Sequence, residues 1–124
     1  MVMSVQITGI ATTAAFLKHA SNESLKAAND AIIKAGFFIE AEVKESIAGK
    51  RAEPRSVDTG RFLNSVKNVQ NKKLTTSIET NVEYAPVLEY GSSTRVARHH
   101  FTNTAKRNEK KVKDFVNAEI KKAV

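Results

Sequence analysis

Cysteine is absent from the chain, which removes at once a disulfide framework, thiolate zinc ligation, iron-sulfur clusters and a cysteine nucleophile. Tryptophan is missing too, and Phe101 and Phe115 fall on an apolar stripe, so aromatic side chains interleaved with cations for base stacking are lacking. No apolar run approaches the roughly twenty residues that span a bilayer. Met1 to Ala20 lacks the basic segment, apolar stretch and cleavage site of a secretory leader. The expectation is a protein made in the cytoplasm, with no membrane partner.

The 124 residues suit one domain with a modest core, since the buried fraction of surface rises with length. At 41% hydrophobic and 27% charged residues the composition is that of a folded soluble domain, not of a disordered or low-complexity chain. A net charge of +7 invites a nucleic-acid reading, but the charge is unevenly placed. Residues 49–73 carry seven Lys or Arg and two acids, residues 74–93 three Glu and no cation, and residues 94–113 seven Lys or Arg and one Glu. Such alternation of sign suits subunits that meet positive against negative.

Alternation of Met3, Val5 and Ile7 with Ser4, Gln6 and Thr8 predicts a short strand ended by Gly9. Thr12 or Thr13 can cap a first helix over Ala14 to Ala20. Ser21 or Asn22 can cap a much longer one to about Ala48. In the long helix Leu25, Ala28, Ile32, Ala35, Ile39, Val43 and Ile47 recur at spacings of three and four, giving one apolar face. Gly36 interrupts that helix at a cost of about 1 kcal/mol, which points to close packing or a kink.

Gly49 ends the helix. Residues 50–60 (KRAEPRSVDTG) have almost no apolar side chain and read as a mobile loop. Its charges, Lys50, Arg51, Glu53, Arg55 and Asp58, are candidates for ordering against a neighbouring ring or the acidic segment of Glu79, Glu83 and Glu89. Phe62 to Gln70, Leu74 to Thr80 and Asn81 to Tyr90 read as strands, with Pro86 allowing a short helix over Ala85 to Glu89 instead. From about His100 to Ala123, Phe101, Ala105, Val112, Phe115 and Ile120 recur at helical multiples, Asn108 being the polar member of the stripe. The expected class is α+β: a small antiparallel sheet packed against a long amphipathic helix and a C-terminal helix, as a single domain.

Sites with chemistry are sparse. His19, His99 and His100 form the one conceivable metal cluster, yet adjacent histidines diverge by about 100° on a helix or 180° on a strand. No metal or other cofactor is expected. Ser92, Ser93, His99 and Glu89 are close in sequence but lack a strained nucleophile turn, and a polar turn is the simpler reading. The run Lys106 to Lys113 gives a DNA-binding alternative, against which stands the ordinary solvated face of an amphipathic helix.

Two stretches, VDTGRFLNSV (Val57 to Val66) and NVEYAPVLEYGSSTRVARHHF (Asn81 to Phe101), resemble the minor tail, or head-tail joining, proteins of lambdoid and related tailed phages and prophages. That family places a long amphipathic helix before an APVDTGRLRNSI-like turn, then strands, a YAxYVEFGT…ARPFLxPA block and a last helix. In this chain Pro54-Arg55-Ser56 replaces the Ala-Pro, and Arg98-His99-His100-Phe101 stands where Arg-Pro-Phe-Leu is usual. The resemblance implies a non-catalytic tail-completion, terminator or neck protein. It would form a ring of six copies around the DNA channel, in contact with adjacent neck or connector and tail-tube proteins and weakly with passing DNA. The protein would be made in the host cytoplasm and end in the virion.

Residue chemistry adds detail beside the resemblance. Asp58-Thr59-Gly60 is a turn signal that can launch the first sheet strand, and Glu89-Tyr90-Gly91 closes a sheet edge. Arg95 and Arg98 can pair with Glu89, Glu83 or an acid of the next subunit. Arg51, Arg55, Asp58, Arg61, Glu83, Glu89, Arg95 and Arg98 are the expected subunit-interface residues. Asp58, Thr59, Gly60 and Gly91 are the expected structural turns. Alone, the chain is expected to be monomeric, with residues 50–60 poorly ordered.

Overall fold

The structure, a computed structural model, describes residues 3–8, 22–57 and 60–122. The order is β1 (Met3–Thr8), α1 (Asn22–Ile47), α2 (Arg61–Ser65), β2 (Lys67–Lys72), β3 (Thr75–Thr80), α3 (Ala85–Tyr90) and α4 (His100–Lys122). The fold is α+β. The strands form an antiparallel sheet in the order β1-β3-β2, with Val5 opposite Ile78 and Asn68 also opposite Ile78. A bulge interrupts the β2–β3 register between Val69 and Lys72. The helix expected over Ala14 to Ala20 and the turn residues Asp58 and Thr59 lie outside the described residues.

α1 buries the face that its periodicity marks: Ala28, Ile32, Ala35, Ile39, Val43 and Ile47 are all buried. The two halves of that face meet different partners. The alanine-rich first half packs with Val116 on α4, small side chains letting the two helices approach. The bulkier second half joins Phe62, Val66, Ile78, Val82, Ala85 and Phe101 in the main core. Because His100 meets Ser46 while Val116 meets the Ala28–Ala35 stretch, α1 and α4 run antiparallel.

Gly36 is a close-packing glycine. A Cβ there would lie 2.7 Å from Cγ of Asn68, whose amide nitrogen donates to the Ile33 carbonyl (3.1 Å). The Asn68 backbone N–H donates to Glu40 Oε1 at 2.7 Å, so β2 is laced to α1 where the glycine makes room. Leu74, at φ 62 in the β2–β3 turn, is held by its N–H bond to Asn29 Oδ1 on α1 (2.8 Å). Gly49, at φ +84, ends α1: its N–H donates to Ser46 O and that of Lys50 to Glu45 O.

Two expectations are corrected. Residues 61–65 are helical, so the segment expected as a strand from Phe62 starts at Lys67, and Gly60 launches a helix first. The strand expected to continue through Val82 and Tyr84 stops at Thr80, and Pro86 sits in the first turn of α3, where a missing N–H costs nothing. The stretch 50–57 is a loop, as expected, and it touches the core at two points: Ser56 N–H donates to Ile47 O at 2.7 Å, and Glu53 is 5% exposed. Glu53 and Ser56 find side-chain partners inside the fold, which an apolar-pattern reading does not register.

Candidate interaction face

The two stretches that carry the phage resemblance meet in space. Arg61, first residue of α2, donates through both terminal nitrogens to Glu83 at 3.0 and 2.8 Å, and its guanidinium lies 5.8 Å from the Tyr84 ring centroid. This hydrogen bonding raises the Arg61 pKa and lowers that of Glu83. Next along α2, Phe62 is buried with its ring edge-on to Tyr84 and stacked on Phe101, centroids 6.0 and 6.5 Å apart.

Glu89 does not belong to an open surface. It is 1% exposed, and its carboxylate accepts the N–H groups of Phe101 (2.8 Å) and Thr102 (2.9 Å) at the start of α4. Free amides at a helix start favour a negative charge, so this residue caps α4 from α3 instead of meeting an arginine of a neighbouring copy. The expected pairing of Arg98 with Glu89 or Glu83 is likewise corrected: Arg98 Nη1 donates to Arg55 O and Ser56 Oγ, both at 2.8 Å. His99 has φ 53, a left-handed conformation that a proline ring would forbid. The carboxylate cap and this turn together set the start of α4 in this chain.

Behind Arg98 runs a chain of hydrogen bonds that sequence reasoning missed. Ser56 Oγ is 2.7 Å from His100 Nε2, His100 Nδ1 is 2.8 Å from Ser46 Oγ, and Ser46 Oγ donates to Glu53 Oε1 at 2.6 Å. Arg107 donates twice to Glu53 at 3.1 Å, and Asn103 once at 3.3 Å. Burial opposes ionisation of Glu53, but the bonds from Arg107, Ser46 and Asn103 outweigh it and hold the carboxyl at about 2. Burial also pushes His100 below its ordinary value. Proton counting then fixes the directions: Ser46 spends its one hydrogen on Glu53, so His100 Nδ1–H donates to Ser46 and Ser56 donates to Nε2.

A serine beside an oriented histidine has the outline of a nucleophile and its base. Here the Ser56 N–H is engaged with Ile47 O and the hydroxyl already accepts from Arg98, so the arrangement fastens a loop between two helices. Ser92 accepts the N–H groups of Thr94 and Arg95 within a turn closed by Gly91 at φ 78. Among the described residues no three His, Asp or Glu side chains gather as a metal site, and no helix is long and apolar enough to cross a membrane. His19 lies outside those residues.

The remaining expected interface residues divide. Arg51 is tied to Glu42 on α1 at 2.5 Å, whereas Arg55 and Arg95 are exposed. Arg95 and Arg98 line two adjoining surface cavities. One, of about 650 Å³, also includes Ser56, Gly60, Arg61, Phe62, Tyr84, Val87 and Leu88. The other, of about 250 Å³, shares Val87 and Leu88 and adds Pro54, Val96 and Ala97. No family model, curated protein or solved structure matches the chain.

Proposed function

We propose that the protein is a structural subunit of the head-tail joint of a tailed phage or prophage, acting in tail completion, as a terminator or in the neck. On this reading six copies close into a ring between the head and the tail tube. The observation that carries it is the convergence of the two resembling stretches: the Arg61–Glu83 pair and the Phe62–Tyr84–Phe101 cluster join them. Residues that a family motif keeps far apart in sequence thereby serve one local structure. The sheet also offers docking edges. β1 and β2 each pair on one side only among the described strands, and unpaired strand edges are natural contacts between copies.

Function by assembly makes oligomeric mass the decisive measurement. Native mass spectrometry and electron microscopy of the purified protein, alone and with connector and tail-tube proteins, are expected to give closed rings whose population grows with concentration. A monomer under all these conditions would defeat the proposal. The DNA-binding alternative has cations on α4 to draw on, but Arg107 is engaged by Glu53, Lys110 by Asp114 and Lys111 by the Phe38 ring. Tight duplex binding with a steep salt dependence would favour that alternative over the ring.

A further inference from the structure

We propose that the arginine-lined groove between α3 and the connection 91–99 is a docking site for a segment of another protein that carries a carboxylate beside apolar side chains. Among the described residues, four of the six large hydrophobic side chains left exposed belong to residues 84–96: Tyr84, Val87, Tyr90 (66% exposed) and Val96 (89%). A concentration of exposed apolar side chains marks contact surface, where single ones do not. Two cavities share Val87, Leu88, Arg95 and Arg98 as walls, so apolar volume and positive charge occupy the same groove.

The arginines are set for a planar anion. Both bonds from Arg98 Nη1 go to the 55–56 segment, and that segment is itself pinned through His100, which fixes the guanidinium plane. Nη2 and Nε are engaged by no described residue, and Arg95 makes no ion pair among the described residues. A guanidinium fork of this kind matches the two oxygens of a carboxylate. The apolar walls, Phe62 and Leu88 among them, suit an aliphatic or aromatic neighbour of that carboxylate better than a sugar-phosphate chain.

Charge argues against a second copy as occupant. The chain carries +7 overall. Of its acids, Glu53 and Glu89 are buried, and Glu42, Glu83 and Asp114 already face cations of their own chain. An acidic partner of different sequence meets the groove without that repulsion. The proposal does not depend on the ring, because mass reads copy number while peptide binding reads the groove.

The test is fluorescence anisotropy with a labelled peptide of alternating glutamate and leucine, compared with a lysine–leucine peptide and polyglutamate of equal length. The glutamate–leucine peptide is expected to bind and the other two to bind weakly. Arg95→Glu should reduce its affinity by about tenfold or more, as for a central interface arginine, and Val96→Ser should reduce it too. Lys113→Glu, an exposed charge reversal on α4 outside the groove, should leave it near wild type and so separates the groove from net charge. Equal binding of polyglutamate, equal loss in Lys113→Glu, or no binding of the glutamate–leucine peptide overturns the proposal. So does a fall in the protein's own oligomeric mass on Arg95→Glu without peptide, which would make a second copy the occupant.

Discussion

Replacing Glu53 by glutamine keeps the side chain's size and removes its charge, so the variant isolates what the ionised carboxylate contributes to folding. In the folded chain its pKa falls from 4.5 to about 2, and at 1.36 kcal/mol per unit this is worth about 3 kcal/mol at neutral pH. Because the folded value is the lower one, the contribution is complete above pH 4.5 and is lost as pH falls toward 2. At pH 3 less than half of it should remain. Urea denaturation of wild type and Glu53→Gln at pH 7 and pH 3 measures both quantities. His100 also has a folded pKa lowered by burial, so stability declines below pH 6.5 in both proteins and mostly cancels in their difference. A difference below about 1 kcal/mol at pH 7, or one that does not shrink at pH 3, would refute a buried carboxylate held by Arg107, Ser46 and Asn103.

Gly36→Ala should destabilise the protein although alanine favours helix by about 1 kcal/mol, because the new Cβ meets Asn68; a raised melting temperature would show that β2 lies farther from α1. Glu89→Ala should cost about 1–3 kcal/mol by leaving a buried and a half-buried amide of α4 without their acceptor, with partial recovery in Glu89→Gln. Unchanged urea midpoints would remove its capping role. Phe62→Ala should cost about 3–5 kcal/mol in the same assay, as expected for a buried aromatic at the meeting point of α2, α3 and α4.

The two long helices were legible because each buries a stripe whose spacing sequence alone reveals. α1 matched nearly residue for residue. On α4 the buried residues are His100, Phe101, Thr104, Asn108 and Val116; Phe101 and Asn108 lie on the stripe read off Phe101, Ala105, Val112, Phe115 and Ile120, whereas Phe115 is exposed. His100 and Thr104 are polar, and a periodicity built on apolar residues passes over them. The same blindness hid the fastening of 50–57, where Glu53 and Ser56 look like solvent-facing loop residues until α4 supplies their partners. Gly36 gave notice of close packing, but Asn68, more than thirty residues away, could be named only from the fold. Arg61, Glu83, Arg95 and Arg98 were legible as a charged group, and the geometry then gave them different tasks: a surface pair, an exposed cation and a guanidinium clamped by backbone and hydroxyl.

The central strand of the sheet draws its two neighbours from very different distances along the chain. β2 reaches β3 through a tight turn, whereas Met3 pairs with Thr80 and Thr8 with Thr75. Hairpin closure is fast, while joining ends so remote must first overcome a large loop-closure entropy. During synthesis and refolding, one side of β3 therefore waits exposed for β1, and in that interval it can accept the same strand from another molecule. Refolding at high protein concentration should accordingly favour strand-exchanged species that dilution suppresses.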